Sequence, residues 1–160
     1  MQPRMKSPVA SMPGVRDALL ALSRAADGVV TEETLPRSTI DLVYVRASQI
    51  NGCAPCLDMH TRDAAKAGES AERLSTVAAW REAPYFNDAE RAALALTEAG
   101  TRLADRTDPV TAEVFAEAAK FYDEPALGAL VVAIAAINTW NRLSRLTGQV
   151  AGGWTASWAG

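Results

Sequence analysis

The sequence predicts an all-α fold, a single-domain bundle of about seven helices with a Cys-x-x-Cys pair at the start of a central one. Three observations carry this. Helix start and stop signals recur at short intervals, alternating strand patterns are hard to find, and the apolar positions fall at helical spacing. With 160 residues and 49% hydrophobic content, the chain is of ordinary domain size and can bury a real core.

The first helix reads as Gly14 to Ala26, with Val15, Ala18, Leu19 and Leu22 on one stripe. Pro36 suits the first turn of a second helix, where a missing N–H costs nothing. That helix runs through Ile40, Val43 and Ala47 and stops at Asn51-Gly52. The run Leu42-Val43-Tyr44-Val45 resembles a short strand, but the helical frame around it prevails. Pro55 opens a third helix that ends at Gly68. Ser70 caps a fourth, with Leu74, Val77 and Ala78 inward. Asn87 with Glu90 has the capping-box form and launches a fifth, whose stripe is Ala89, Ala92, Leu96 and Leu103 and whose outer side carries Glu98 and Arg102. Asp108-Pro109 starts a sixth. The seventh runs from Pro125 to Gly148, and its apolar first half marks a central or interface helix. One domain spans residues 1–160, with 1–12 and 150–160 as tails, either flexible or docked at an interface. Trp154 and Trp158 in the second tail are expected to dock on a neighbouring subunit.

Sixteen basic residues stand against nineteen acidic ones, a net charge of −3, so nucleic acid is a poor partner. The longest strongly apolar stretch, Ala126 to Ile137, falls short of the roughly 20 residues that span a bilayer. Met1 to Met12 lacks the apolar core of a secretory signal. The expected setting is therefore the cytoplasm, where a close cysteine pair is redox-active or metal-binding more often than structural.

The chemistry concentrates in Cys53-Ala54-Pro55-Cys56-Leu57-Asp58-Met59-His60. Cys56 falls in the first turn of the third helix, where free backbone N–H groups and the macrodipole favour a thiolate. His60, the sole histidine, lies four residues on, one turn away on the same face, placed to take the thiol proton. Cys53 precedes the helix, and a two-residue spacer lets its sulfur meet Cys56. Two other chemistries use such residues. Zinc would take Cys53, Cys56 and His60, but a closed site wants a fourth ligand, and only Asp58 or Asp41 is at hand. A thioredoxin-type site needs a βαβ scaffold that this chain does not offer.

The stretch Ser48-Gln49-Ile50-Asn51-Gly52-Cys53-Ala54-Pro55-Cys56-Leu57-Asp58-Met59-His60-Thr61 resembles the alkylhydroperoxidase D-like branch of the carboxymuconolactone decarboxylase family. The likeness continues through Ala67-Gly68-Glu69, Trp80 to Pro84 and Glu90 to Leu94, and returns at Ile137 to Leu143. The resemblance implies a helical protomer that forms dimers, trimers or hexamers. It also implies a thiol-dependent peroxidase that reduces hydrogen peroxide or organic hydroperoxides through a CxxC disulfide. In that pattern Cys56 attacks the peroxide, Cys53 resolves the sulfenic acid, and His60 transfers protons, with no metal, flavin or haem. An external dithiol, a lipoyl group being one candidate, would restore the thiols. A dithiol carrier or sensor, or a decarboxylase-family homologue of other activity, is the alternative.

This chain departs from the pattern twice: Asp41 stands where the family has a glutamate, and Pro55 where its best-known peroxidase has histidine. Asp41 is the expected fourth member of the site, set against its reading as a solvated carboxylate. At 1.5 Å per residue it lies about 14 Å along its helix from Ile50, so reaching His60 requires a steep helix crossing. Arg46 reads as a surface ion-pair partner, and Trp140 as packing a core or subunit seam.

Overall fold

The computed structural model describes residues 2–152, and all its regular structure is helical. Eight α-helices follow in order: α1 (Pro8–Ser11), α2 (Pro13–Arg24), α3 (Arg37–Ile50), α4 (Ala54–Lys66), α5 (Ala71–Thr76), α6 (Asp88–Thr101), α7 (Ala112–Ala118) and α8 (Glu124–Thr147). Short 3-10 turns occupy Val77–Ala79 and Leu103–Asp105. Trp154 and Trp158 lie outside the described residues.

Helix α3 organises the rest, because it is apolar on two sides. Ile40 and Val43 join a cluster with residues of α6 and α8, while Leu42 and Val45 face a second cluster built on Val77, Trp80, Phe86 and Leu94. That double burial explains the strand-like run of apolar residues in a helix. Helices α4, α6 and α8 all pack on it. By length and composition α8 could cross a bilayer, but 56% of its most apolar stretch is buried inside the fold, as befits a core helix. Its outward side leaves Val131 and Leu146 exposed.

Local chemistry sets most of the ends. At α6, the Asn87 side chain accepts from Glu90 N–H and Glu90 reaches back to Asn87 N–H, a complete capping box. Asp123 caps α8, Pro125 sits in its first turn, and Gly148 closes it with a left-handed φ of 66°. Pro36 stands one residue ahead of α3, at the cap.

Five expectations need correction. Helix α7 starts after Thr111, whose hydroxyl accepts from Val114 N–H, and not at Asp108-Pro109. Val110 and Val114 both pack on the core, and the chain bends through residues 107–110 before the helix begins. A 3-10 turn follows α5 and rotates Ala78 outward. Leu103 lies beyond α6 and is exposed. On α2, Leu19 is buried, whereas Ala18 and Leu22 are exposed. Finally, Glu98 and Arg46 do not belong to the surface.

Glu98 is a buried hub. Its carboxylate accepts from Arg46 Nε and Nη2 (2.8 and 2.6 Å), Trp80 Nε1 (3.0 Å) and Arg81 Nη1 (2.7 Å), and Arg102 lies 3.7 Å away. Burial pushes its pKa up, but the bonds from Arg81, Arg46 and Trp80 outweigh burial and hold it below the ordinary glutamate value. The Arg46 side chain is only 11% exposed, so its charge depends on this partner. Replacing Glu98 by alanine should therefore cost about 3 kcal/mol or more in chemical denaturation. A loss under about 1 kcal/mol would put the cluster on a par with surface ion pairs.

The segment before α2 turns back on the end of α8. Arg4 N–H donates to Thr147 O at 2.9 Å, its guanidinium reaches Leu146 O, and Gln149 donates to Met5 O.

Candidate active site

The turn between α3 and α4 places the cysteines. Gly52 takes φ 61°, a left-handed conformation that favours glycine. Its N–H donates to Gln49 O (3.1 Å), and Cys53 N–H donates to Ser48 O (3.0 Å). These two bonds form the Schellman closure of a helix end, and they leave Cys53 at the cap of α4. The Asn51 amide then pins the turn to α8 by donating to Asn138 Oδ1 and Asn141 Oδ1, both at 2.9 Å. Asn141 donates to Ser48 Oγ (3.2 Å) and Asn138 to Thr101 Oγ1 (3.1 Å), so α3, α6 and α8 share one buried amide network.

Cys56 is the third residue of α4, in its first turn as the sequence suggests. A disulfide joins it to Cys53, with Cα atoms 5.4 Å apart. The two sulfurs differ in access. Cys53 is fully buried (0% exposed), whereas Cys56, at 3%, forms part of the wall of a cavity of about 370 Å³. The Ser144 hydroxyl on α8 lies 3.8 Å from Cys56 Sγ, and in the disulfide the hydroxyl is the only possible donor of the two.

His60 borders the same cavity one turn along α4, with Met59 beside it. Its ring packs against Tyr44 at 4.8 Å between centroids. Among the described residues no hydrogen bond holds the imidazole. Burial, aided by the positive charge of Arg37, pushes its pKa down to about 4. The imidazole is therefore neutral at pH 7 in the oxidised protein.

Asp41 sits apart. It is buried at 7% exposure, not solvated, and among the described residues its hydrogen-bond partner is Arg37, at 3.2 Å from Nε. No bond links it to His60 or to either cysteine. Burial raises its pKa, with Arg37 opposing. Asp58 pairs with Arg62, away from the sulfurs, and among the described residues no three His, Cys, Asp or Glu side chains converge as metal ligands.

Several contributors escaped sequence reasoning. Arg16, Leu20, Ser23 and Arg24 of α2, with Asp27 just beyond, line the cavity opposite the disulfide. Their spacing is helical, but a polar stripe of this kind reads as a solvent face until the partner helix is known. Trp140 also lines the cavity and donates from Nε1 to Ser23 Oγ at 3.1 Å, so it closes the site as well as packing. Ser144 and Tyr44 carry no signal of their own.

The family model for carboxymuconolactone decarboxylases matches residues 16–99, the span that holds most of α2, the turn, both cysteines and His60. The chain belongs to that family. Among relatives, the uncharacterised Bacillus subtilis protein YdfG is 39% identical over 118 residues, 74% of this chain and 79% of its own. A crystal structure of an Agrobacterium tumefaciens protein of unknown function, provisionally described as the antioxidant defence protein AhpD, superposes with a TM-score of 0.84 and 29% identity, covering 94% of this chain and 98% of that one. With its paired cysteines, the chain falls in the AhpD-like branch of the carboxymuconolactone decarboxylase family. The debrominase Bmp8 shares the fold at a TM-score of 0.77 and 21% identity, covering 90% of this chain and 75% of its own.

The neutral imidazole has a measurable consequence. An NMR titration of oxidised protein should place the His60 midpoint near 4 rather than near 6.5. Between those values the unfolded chain binds a proton that the native protein refuses, so stability should fall as pH drops through that window. A midpoint near 6.5 would contradict the enclosure of the ring.

Proposed function

We propose that this protein is a thiol peroxidase, with Cys56 attacking the peroxide and Cys53 resolving the product. The observation that carries the reading is the unequal access of the two sulfurs: Cys56 faces a cavity beside a neutral imidazole, and Cys53 is sealed behind it. The AhpD-like membership supports the same chemistry.

In the cycle, the Cys56 thiolate attacks the outer oxygen of R–O–O–H. The O–O bond breaks, Cys56 becomes a sulfenic acid, and the alkoxide takes a proton and leaves as R–OH. The Cys53 thiolate then attacks Cys56 Sγ and displaces hydroxide, which leaves as water after protonation. An external dithiol reduces the disulfide and is itself oxidised. The sum is one hydroperoxide and one dithiol giving an alcohol, water and a disulfide. His60 accepts the Cys56 proton on activation and returns it to the alkoxide. A thiolate beside the ring favours the protonated imidazole, so reduction itself tunes the base. Ser144 and the first turn of α4 stabilise the thiolate. Asp41 acts at one remove, by holding Arg37 near the ring, rather than as a relay partner of His60.

A dithiol carrier would present a sulfur to a partner protein, and exposures of 0 and 3% disfavour that role. The cycle needs a steady supply of reductant, in keeping with a cytoplasmic setting. The exposed apolar residues of α8 are suited to a homo-oligomer.

Peroxide consumption with a dithiol donor tests the reading. Cys56→Ser should abolish turnover, and Cys53→Ser should leave a sulfenic acid that a dimedone probe captures at position 56. If both variants turn over like the parent, the proposal is wrong. Ser144→Ala should raise the Cys56 thiol pKa by about one unit, followed by thiolate ultraviolet absorbance in the Cys53→Ser background. An unchanged pKa would remove Ser144 from the mechanism.

A further inference from the structure

The cavity over Cys56 is larger and more charged than a small peroxide needs. Three guanidinium groups line it, Arg16 and Arg24 from α2 and Arg37 from the start of α3, against one carboxylate, Asp27. Asp41 pairs with Arg37 but is not on the wall. His60 adds no charge. Among the described residues Arg24 has no ion pair. Leu20, Met59, Ile137 and Trp140 give the wall an apolar part beside Ser23, Tyr44 and His60, and the volume of about 370 Å³ fits a small organic molecule. A compact hydroperoxide uses neither the volume nor the charge.

We infer that the cavity binds organic monoanions, a carboxylate carried on an apolar body, and that the hydroperoxide it reduces is of this class. The inference rests on the peroxidase reading for its chemistry but on the cavity wall for its recognition. Arg16 and Arg24 lie eight residues apart on one face of α2, with Leu20 between them. An anion held there by guanidinium groups directs its apolar portion past Leu20 and Trp140 toward the sulfur. One guanidinium without an ion pair among the described residues, Arg24, suits a monoanion better than a phosphate dianion.

The test uses matched pairs and the full chain. With dithiothreitol as reductant, kcat/KM for 4-carboxycumene hydroperoxide should exceed that for cumene hydroperoxide by about tenfold, and Arg24→Gln should bring the ratio near unity. Lys66→Gln makes the same charge change on an exposed side chain outside the cavity and should leave the ratio as in the parent. Equal kcat/KM for the two peroxides in the parent, or an equal fall in both variants, overturns the inference. Calorimetry with unreactive ligands separates recognition from chemistry. Binding of 4-isopropylbenzoate about tenfold tighter than of 4-isopropylbenzamide, lost in Arg24→Gln, supports carboxylate recognition even where neither peroxide is consumed, and failure then falls on the peroxidase reading. No preference for the carboxylate overturns the inference whatever the turnover.

Discussion

The site depends on how one helix ends and the next begins. Between α3 and α4 the chain reverses over Asn51 and Gly52, and both of the last orphan carbonyls that could be satisfied locally are satisfied, by Gly52 and Cys53 N–H groups. A side chain at position 52 would have to hold a φ of 61°, which strains any residue with a Cβ. The closure fixes where Cys53 enters α4. Asn51 then decides which way the turn faces, because its two hydrogen bonds anchor it to Asn138 and Asn141, one turn apart on α8. Burying an amide is costly unless its donors are used, and here they are. Backbone closure and amide network together settle that Cys56 looks into the cavity and Cys53 does not.

Much of this was legible in the chain because capping is local. Asn51-Gly52, Gly68, Asn87 with Glu90, and Pro125 through Gly148 announce helix ends within a few residues, and each end falls there. The i, i+4 spacing of Cys56 and His60 is likewise a property of one helix, and both line one cavity. What the sequence could not supply is the partner across the gap. Nothing near Glu98 points to Arg46, 52 residues earlier, so the i,i+4 neighbour Arg102 looked like its mate and the pair looked superficial. The stripe Arg16, Leu20, Ser23, Arg24 is amphipathic with its polar side out, and only the position of α4 shows that this side closes a cavity. Asp108-Pro109 is a sound start signal that loses to the burial of Val110.

Beside the Arg73 pairs with Glu69 and Glu90, the polar interior of the described residues holds three further sets, each in its own place. Glu98 gathers its arginines on the side of α6 toward Trp80. The asparagines lie behind the disulfide, neutral and fully paired. Asp41 and Arg37 form the third set, and Arg37 reaches the cavity wall. The division has an electrostatic consequence. Among the described residues no carboxylate bonds to either sulfur or to His60, so a thiolate at Cys56 would meet helix N–H groups, a hydroxyl and an imidazole, all of which stabilise it or are indifferent to it. A glutamate in contact with His60 would hold the ring protonated at rest. In the oxidised protein no such contact is made, and burial beside Arg37 keeps the ring neutral.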